Sequence, residues 1–329
     1  MNDTHRTVLI LGANGRFGLA AAQAFAAAGW QVLAQARRPL ADGMPASARR
    51  IDLPLTDTAG LVAAAKGASH VVYAVNPLYI RWDVEALPLA NAGMDIAQAL
   101  GAVFMLPGNV YAYGEDMPSL LSESTPVAPT NPKGRIRAAM EDELLARAAA
   151  GLRSVVLRAG DFFGGGTGNW FDQVVVRSLA RGKIVYPGPD DVVHAWAYLP
   201  DLARSFVMLA ERHDLPVACR LHFPGHALTG REFLDAVQRA ATGLRLPHSA
   251  ALRRGRTPWW AIALVAWAAP MLRELLRMSY LWRVPHRLSA TGLRDAIGRI
   301  PTTPIDTALR DSLLALGHRP RTATIAEGI

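Results

Sequence analysis

The first twenty residues contain the feature that most constrains the fold, a glycine turn between an apolar strand and an alanine-rich helix. The predicted strand Thr7–Leu11 leads directly into Gly12, and further glycines follow at three-residue intervals at the start of a helix predicted over 17–28. Without a Cβ, glycine lets the amides of a helix N-terminus approach a phosphate closely. The turn therefore predicts a site for a dinucleotide pyrophosphate, formed by Gly12, Asn14, Gly15, Arg16, Phe17 and Gly18.

The first half of the chain alternates short β-rich runs with longer helical patterns, which predicts parallel βαβ units. Residues 71–75 are apolar throughout, as expected of a central strand buried on both faces. Further strands are predicted at 31–35, 49–53, 103–106 and 154–157, and helices at 58–66, 83–100 and 133–150. We therefore predict an α/β fold, with a Rossmann doubly wound parallel sheet over residues 1–160.

Beyond Gly160 this alternation stops, and glycine and proline become frequent. Helical patterns resume at 200–212 and 230–241. We predict a small, mostly helical C-terminal substrate lobe over 161–329, with segments around 190–212 returning to the Rossmann sheet. A length of 329 residues is about twice that of a usual domain and leaves room for both parts.

The charge of the chain bears on its partners. There are 35 Lys and Arg residues against 27 Asp and Glu, and the net charge is +8. Residues 245–300 alone contain ten arginines and two acidic residues. Aromatic residues are not interleaved with these arginines as they are in nucleic-acid-binding motifs. We predict a small-molecule substrate and no nucleic-acid partner.

Cysteine and histidine usage limits the chemistry further. Cys219 is the single cysteine, which excludes a disulfide framework and a CxxC redox pair. His194 with Trp196 follows the alternation of a strand, and His222 with His226 lacks a neighbouring carboxylate cluster, so no metal site is predicted. Residues 1–6 are polar and lead straight into the first strand, so we expect no secretory signal and a cytoplasmic protein.

Three motifs together resemble the extended and atypical short-chain dehydrogenases/reductases, a superfamily that includes nucleotide-sugar epimerases and dehydratases. The first is the GxxGxxG spacing of the glycine turn. Residues 157–164 are similar to the LRxxNxxG stretch of that family, and residues 198–203 to its V-x-D-[VL]-A segment. The resemblance covers most of the chain and implies an oxidoreductase or epimerase-like enzyme acting on a small carbonyl or sugar-like substrate.

The end of the second predicted strand indicates which nicotinamide cofactor is bound. NAD-binding enzymes usually place an acidic residue there to bind the ribose hydroxyls, whereas this chain has an alanine followed by Arg37 and Arg38. Guanidinium groups bind phosphate bidentately, so we predict NADP rather than NAD. The alternative is that both arginines are solvated surface residues. The resemblance also implies adenine contacts from Asp52 and Leu53, and we add Asn76, after the fourth strand, to the predicted cofactor contacts.

The catalytic residues of the family are replaced in this chain. The family uses a Ser or Thr with a Tyr and a Lys spaced YxxxK. When the chain is aligned to this pattern, Lys133 occupies the Tyr position, Arg137 the Lys position and Asn109 the Ser position. Arg137 is expected to hold the cofactor ribose as a permanent cation. Lys133 is expected to be the proton donor if nearby cations lower its pKa, or otherwise to contact only phosphate or solvent.

Loop tyrosines are the other candidates for the missing phenol. Tyr79, Tyr111 and Tyr113 follow the fourth and fifth predicted strands, close to the expected nicotinamide position. We include Tyr111 among the catalytic candidates. Because the triad is replaced, the alternative to an enzyme is a catalytically silent NADP-binding redox sensor or regulatory protein.

Residues 257–272 carry no charge and contain three of the eight tryptophans. The stretch is shorter than the roughly 20 residues that a membrane-spanning helix needs. We predict a helix that is buried or that faces a partner. A second copy of the chain, in a homodimer, is one such partner. The alternative is weak docking of residues 257–283 on a membrane surface through the flanking arginines.

Overall fold

The structure, a computed structural model, describes residues 6–319. The expectation drawn from residues 1–6 therefore falls almost wholly outside the described part. The strands are β1 (Thr7–Leu11), β2 (Gln31–Gln35), β3 (Arg49–Ile51), β4 (His70–Tyr73), β5 (Val103–Asn109), β6 (Leu120–Leu121), β7 (Ser154–Ala159), β8 (Asp161–Phe163), β9 (Lys183–Tyr186), β10 (Val193–Tyr198), β11 (Ala218–His222), β12 (His226–Thr229), β13 (Arg253–Arg256) and β14 (Arg287–Leu288).

Helices alternate with these strands in the first half of the chain. The α-helices are α1 (Arg16–Ala27), α2 (Thr58–Ala64), α3 (Trp82–Leu100), α4 (Pro132–Ala148), α5 (Leu199–Ala210), α6 (Gly230–Gly243), α7 (Trp259–Val265), α8 (Pro270–Arg277), α9 (Thr291–Ile297) and α10 (Ile305–Ala315). Short 3-10 turns lie at Tyr79–Arg81, Val110–Tyr113, Leu179–Arg181 and Ser279–Trp282, and a π-turn lies at Phe171–Val175.

The main sheet has seven strands in the order β11-β7-β5-β4-β1-β2-β3, and every neighbouring pair is parallel. The chain moves outward from β1 to β3 and then crosses back to β4, on the other side of β1. This reversal makes the carboxyl ends of β1 and β4 the switch point, where sheets of this kind bind ligands. The predicted Rossmann doubly wound sheet is confirmed.

Two apolar cores cover the faces of this sheet. One lies under α1 and α5, where the rings of Phe17 and Phe206 meet edge to face at 5.0 Å. The other lies under α2, α3 and α4 and includes the buried Trp82. Both cores are continuous with the fully buried strand β1, because parallel strands are covered on both faces.

The second half of the chain differs in detail from the prediction. The strand that returns to the main sheet is β11, beyond the predicted 190–212 segment. Within that segment, β10 joins β8 and β12 in a separate three-stranded sheet, and α5 packs on the main sheet. The lobe also contains the parallel pair β9–β13. Among residues 6–319, no helix has both the length and the hydropathy needed to cross a membrane.

Candidate functional site

The glycine turn leaves no room for side chains at two of its positions. Gly12 has a φ of +77°, and a Cβ there would lie 3.1 Å from backbone atoms of Ala74 at the end of β4. A Cβ on Gly18 would lie 2.4 Å from the carbonyl oxygen of Gly12. The turn is therefore closed tightly on itself, and α1 starts directly beside β1.

The N-terminus of α1 is open to an anion. Gly15 is the N-cap and provides no side-chain acceptor for the amides of the first turn. These amides have no acceptor within the helix, and the helix dipole adds positive potential. The first turn of α1 also has no acidic residue. This end of the helix fits a pyrophosphate group.

Two side chains fix the surroundings of the turn. Oε1 of the buried Gln35 accepts from the amide of Gly12 at 2.9 Å, and its Nε2 donates to the carbonyl of Leu53 at 2.7 Å. Asn14 donates to the carbonyl of Pro39 at 2.8 Å and accepts from the amide of Ala41 at 3.0 Å. The predicted contact residue Asn14 thus links the turn to the loop after β2.

That loop presents a group of arginines. Arg37 and Arg38 are exposed, with no ion pair among residues 6–319. Arg50, on the adjacent strand β3, donates from Nε to the carbonyl of Ala36 at 3.2 Å and pairs with Asp52 at 2.8 Å. Three arginines therefore lie at or next to the end of β2. Asp52 faces this group, and Asn76 is exposed after β4.

Arg16 lies between the turn and the C-terminal lobe. Its Nη1 donates to the carbonyl of Thr167 at 3.4 Å. Burial lowers the pKa of this guanidinium from its ordinary value, while the charges of Asp172 and Tyr111 act in the opposite direction. Arg16 therefore connects α1 with the glycine-rich segment after β8.

Arg137 on α4 has an unsatisfied polar atom. Its Nη1 donates to the carbonyl of Pro107 at 3.4 Å, and its Cζ lies 4.9 Å from the centre of the Trp82 ring. Its Nε is buried without a hydrogen-bond partner. Burial also lowers the pKa of this guanidinium. A buried donor atom without a partner is an unfavourable arrangement unless a ligand completes the hydrogen bonding of the guanidinium.

Tyr111 lies beside Arg137 in a partly buried aromatic cluster with Tyr79 and Trp82. Burial raises the pKa of the Tyr111 phenol, and so does the charge of Asp161. A hydrogen bond from Tyr79 and the charge of Arg137 act in the opposite direction, lowering that pKa. The ring of Trp82 lies 6.4 Å from that of Tyr111. The structure thus brings together two predicted residues, Tyr111 and Arg137, at the carboxyl side of β4 and β5.

Lys133 lies on the same helix face as Arg137 but is fully engaged. Its Nζ donates to the carbonyl of Tyr79 at 2.8 Å, and lies 2.8 Å from Oε2 of Glu274 on α8. It also lies 4.1 Å from the centre of the Tyr79 ring. The charge next to Lys133 is therefore a carboxylate. A neighbouring carboxylate does not supply the condition under which Lys133 is expected to be the proton donor, namely nearby cations.

The remaining tyrosine and asparagine candidates have structural partners. Asn109 accepts from the amide of Tyr111 at 3.1 Å and so caps the 3-10 turn that carries this tyrosine. The hydroxyl of Tyr113 lies 2.5 Å from Arg158 and 2.6 Å from His222. Arg158 in turn forms a buried pair with Glu141 at 2.5 Å. This network occupies the Tyr113 phenol.

Histidines line the lobe side of the site. Nε2 of the buried His194 lies 3.0 Å from Oδ2 of Asp161, and its ring stacks on Trp282 at 4.1 Å. Asp161 takes the place of the Asn in the LRxxNxxG stretch of the family. Within the described part of the chain, no group of three His, Cys, Asp or Glu side chains could hold a metal ion.

Sequence reasoning missed several residues of this region. Gln35 carried a weak signal, as a polar residue ending an apolar strand. Glu274 carried another, as one of two acidic residues among ten arginines. The place of Arg50 in the site depends on the pairing of β2 with β3, and that of Trp82 depends on how α3 packs against the sheet. Neither of these last two had a sequence signal.

A doubly wound parallel sheet with a glycine turn at its switch point is typical of dinucleotide-binding proteins. The sequence profile of the NAD dependent epimerase/dehydratase family matches residues 8–218. The chain belongs to this family, which confirms the resemblance to extended short-chain dehydrogenases/reductases.

Similar proteins are found among both curated sequences and solved structures. The UDP-glucose 4-epimerase of Streptomyces lividans is 29% identical over 164 residues, or 44% of this chain and 49% of the relative. The chain thus matches about half the length of this curated relative. MoeE5 in complex with UDP-glucose and NAD has a TM-score of 0.71 at 19% identity, covering 94% of this chain and 98% of MoeE5.

A second solved structure is that of TunA, an NAD dependent NDP-hexosamine 5,6-dehydratase. It has a TM-score of 0.70 at 16% identity, covering 94% of this chain and 97% of TunA. At such identities, these structures show a shared fold.

Proposed function

We propose that this protein is an NADP-dependent oxidoreductase or epimerase acting on a nucleotide sugar. The observation that carries the proposal is Arg137, a half-buried cation whose Nε has no hydrogen-bond partner and which lies beside the phenol of Tyr111. A ribose hydroxyl beside Arg137 would accept a hydrogen bond from the guanidinium. The nucleotide-sugar class is supported by the names of the relatives, which include UDP-glucose 4-epimerase.

The residues present fit a dinucleotide. The first-turn amides of α1 would hold the pyrophosphate, with Gly12, Gly15 and Gly18 allowing its approach. Arg16 and Phe17 belong to this turn, and Leu53 and Asn76 are proposed to contact the adenosine and nicotinamide portions. When bound, the dinucleotide supplies or takes up a hydride.

The arginines at the end of β2 support a preference for NADP. A 2′-phosphate would meet Arg37 and Arg38, which have no acidic partner among the described residues, and Arg50, which is held beside Ala36. The carboxylate of Asp52 pairs with Arg50. It therefore leaves the charges of Arg37 and Arg38 available for a phosphate. Charge-assisted hydrogen bonds from guanidinium to phosphate are among the stronger polar contacts in proteins.

Tyr111 is the proposed proton donor. Because burial raises its pKa, the phenol stays protonated at neutral pH and can donate its proton. As a carbonyl carbon of the substrate gains a hydride, the carbonyl oxygen takes the Tyr111 proton. The positive charge of Arg137 and the hydrogen bond from Tyr79 then stabilise the phenolate, since both lower the pKa of Tyr111.

Lys133 and Asn109 have supporting roles in this proposal. The ammonium of Lys133 is occupied by Glu274 and the Tyr79 carbonyl, so it positions the Tyr79 turn. Asn109 positions Tyr111 by capping its 3-10 turn. Lys133 thus acts through Tyr79 and Asn109 through Tyr111, and neither residue transfers the proton itself.

Cofactor preference is tested by titrating the protein with NADPH and with NADH. We expect NADPH to bind at least about tenfold more tightly, since one charge-assisted bond contributes about 1.5–3 kcal/mol. Arg37→Ser should weaken NADPH binding by about tenfold and leave NADH binding unchanged. Arg135→Ser, at an exposed position on α4, is the matched control. Equal affinity of the unmodified protein for both cofactors would contradict the NADP assignment.

A further inference from the structure

One face of the α7–α8 hairpin is apolar and exposed. Trp260 is 73% exposed, Leu264 is 66% exposed and Trp267 is 81% exposed. Trp260 and Leu264 lie one turn apart on α7, and Trp267 lies in the turn that follows this helix. We call these three residues the tryptophan face.

The opposite side of the hairpin is anchored to the rest of the protein. Nε1 of Trp259 donates to the carbonyl of Pro187 at 2.5 Å, and its ring lies 6.2 Å from that of Trp170. On α8, Glu274 reaches Lys133 of the candidate site. The tryptophan face is therefore the outer surface of a docked element.

Unpaired arginines lie in the chain segments before and after α7. Arg253 precedes α7 and Arg273 lies on α8, and both are exposed without an ion pair among residues 6–319. Arg283, after α8, is likewise exposed without an ion pair, whereas other arginines of this stretch form ion pairs, as Arg254 does with Asp235. The segments that border the tryptophan face thus keep three arginines without a countercharge among the described residues.

We propose that the tryptophan face docks on an anionic lipid bilayer. An interfacial helix combines an apolar face rich in Trp and Leu with flanking Lys or Arg, which attract acidic headgroups. A second copy of the chain on the same face would bring two arginine-rich surfaces together, which is unfavourable. Charge complementarity therefore favours acidic lipid over self-association. This inference does not depend on the chemistry proposed at Arg137.

The test is co-sedimentation with vesicles of phosphatidylcholine containing phosphatidylglycerol, and with vesicles of phosphatidylcholine alone. We expect the protein to pellet with the acidic vesicles at low salt, and to be released at about 0.5 M NaCl, where charges are strongly screened. The double variant Trp260→Ser/Trp267→Ser should bind about tenfold more weakly, with an unchanged thermal midpoint. Leu145→Ser, at another exposed apolar position, is the control and should bind normally.

Several outcomes would overturn the proposal. The first is that the protein does not pellet with acidic vesicles, and the second is that it binds both vesicle types equally. The third is that the double variant binds as tightly as the unmodified protein. If the double variant does not fold, Leu264→Gln serves in its place, with the same expectation. A dimer in sedimentation velocity that this variant dissolves would assign the face to a second copy instead.

Discussion

Gly18 illustrates how individual residues make the cofactor turn possible. In Gly18→Ala, the new Cβ would lie 2.4 Å from the Gly12 oxygen and 2.8 Å from Cα of Ala13, so α1 would have to move away from β1. We expect a loss of about 1–3 kcal/mol in the free energy of unfolding, as for overpacked sites, and at least about tenfold weaker NADPH binding.

Urea unfolding and NADPH titration measure these two effects. Gly243→Ala is the matched control, because a Cβ there meets no atom within 4 Å. This control should leave NADPH affinity unchanged. If Gly18→Ala behaves like the control, the close approach of α1 to β1 is not needed for binding.

The sequence located single residues well where local geometry decides their role. The glycine spacing alone identified the turn, because only glycine fits a positive φ and a close backbone approach. Arg50 and Gln35 were missed because their roles depend on which strands lie side by side. The engagement of Lys133 was missed for a similar reason, since its partner Glu274 is distant in the chain.

At the scale of elements, the Lys133–Glu274 pair joins α4 to α8. Both side chains are largely buried, at 6% and 14% exposure. Glu274→Gln would leave the ammonium of Lys133 without a countercharge, and we expect a loss of about 3 kcal/mol in the free energy of unfolding. Turnover should also fall, because the Tyr79 turn loses its anchor.

A double variant that removes both charges checks this prediction. Lys133→Met/Glu274→Leu replaces both charges by apolar side chains and should recover most of the stability lost in Glu274→Gln. Urea midpoints provide the comparison. If Glu274→Gln unfolds at the midpoint of the unmodified protein, the pair does not hold the hairpin.

Most elements of the main sheet were predictable because each has a strong local pattern. Apart from the two-residue strand β6, which was not predicted, strands and helices from β1 to α4 lie within a few residues of their predicted bounds. The edge strand β11 was not predicted, because its place depends on pairing with β7 across a long insertion. The small sheets of the lobe depend on similar long-range pairings.

At the scale of the whole molecule, buried histidines determine how stability depends on pH. Burial, with the charge of Arg158, lowers the pKa of His222 to about 4. Burial, with the charge of Arg153, lowers that of His70 to about 4. In the unfolded chain both titrate near a pKa of about 6.5. Between pH 4 and 6.5 the unfolded state thus binds more protons, so stability should decrease as the pH falls through this window.

Urea unfolding at a series of pH values measures this dependence. In His222→Gln the slope should decrease by up to about 1.4 kcal/mol per pH unit, the contribution of one proton. His213→Gln, at an exposed position, controls for the loss of a histidine. A slope unchanged in His222→Gln would show that His222 is not held neutral by the fold.

The proposed reaction at Tyr111 and Arg137 is tested most directly by a single-turnover measurement at 340 nm. Protein in excess is mixed with NADPH and, in turn, with the 4-keto derivatives of UDP-glucose and UDP-N-acetylglucosamine, so that Tyr111 acts as the proton donor. We predict a fall in absorbance with at least one keto sugar, and its loss in Tyr111→Phe while NADPH affinity stays within a few-fold. A protein that binds NADPH but shows no fall with either substrate would contradict the proposed reaction and favour a redox sensor.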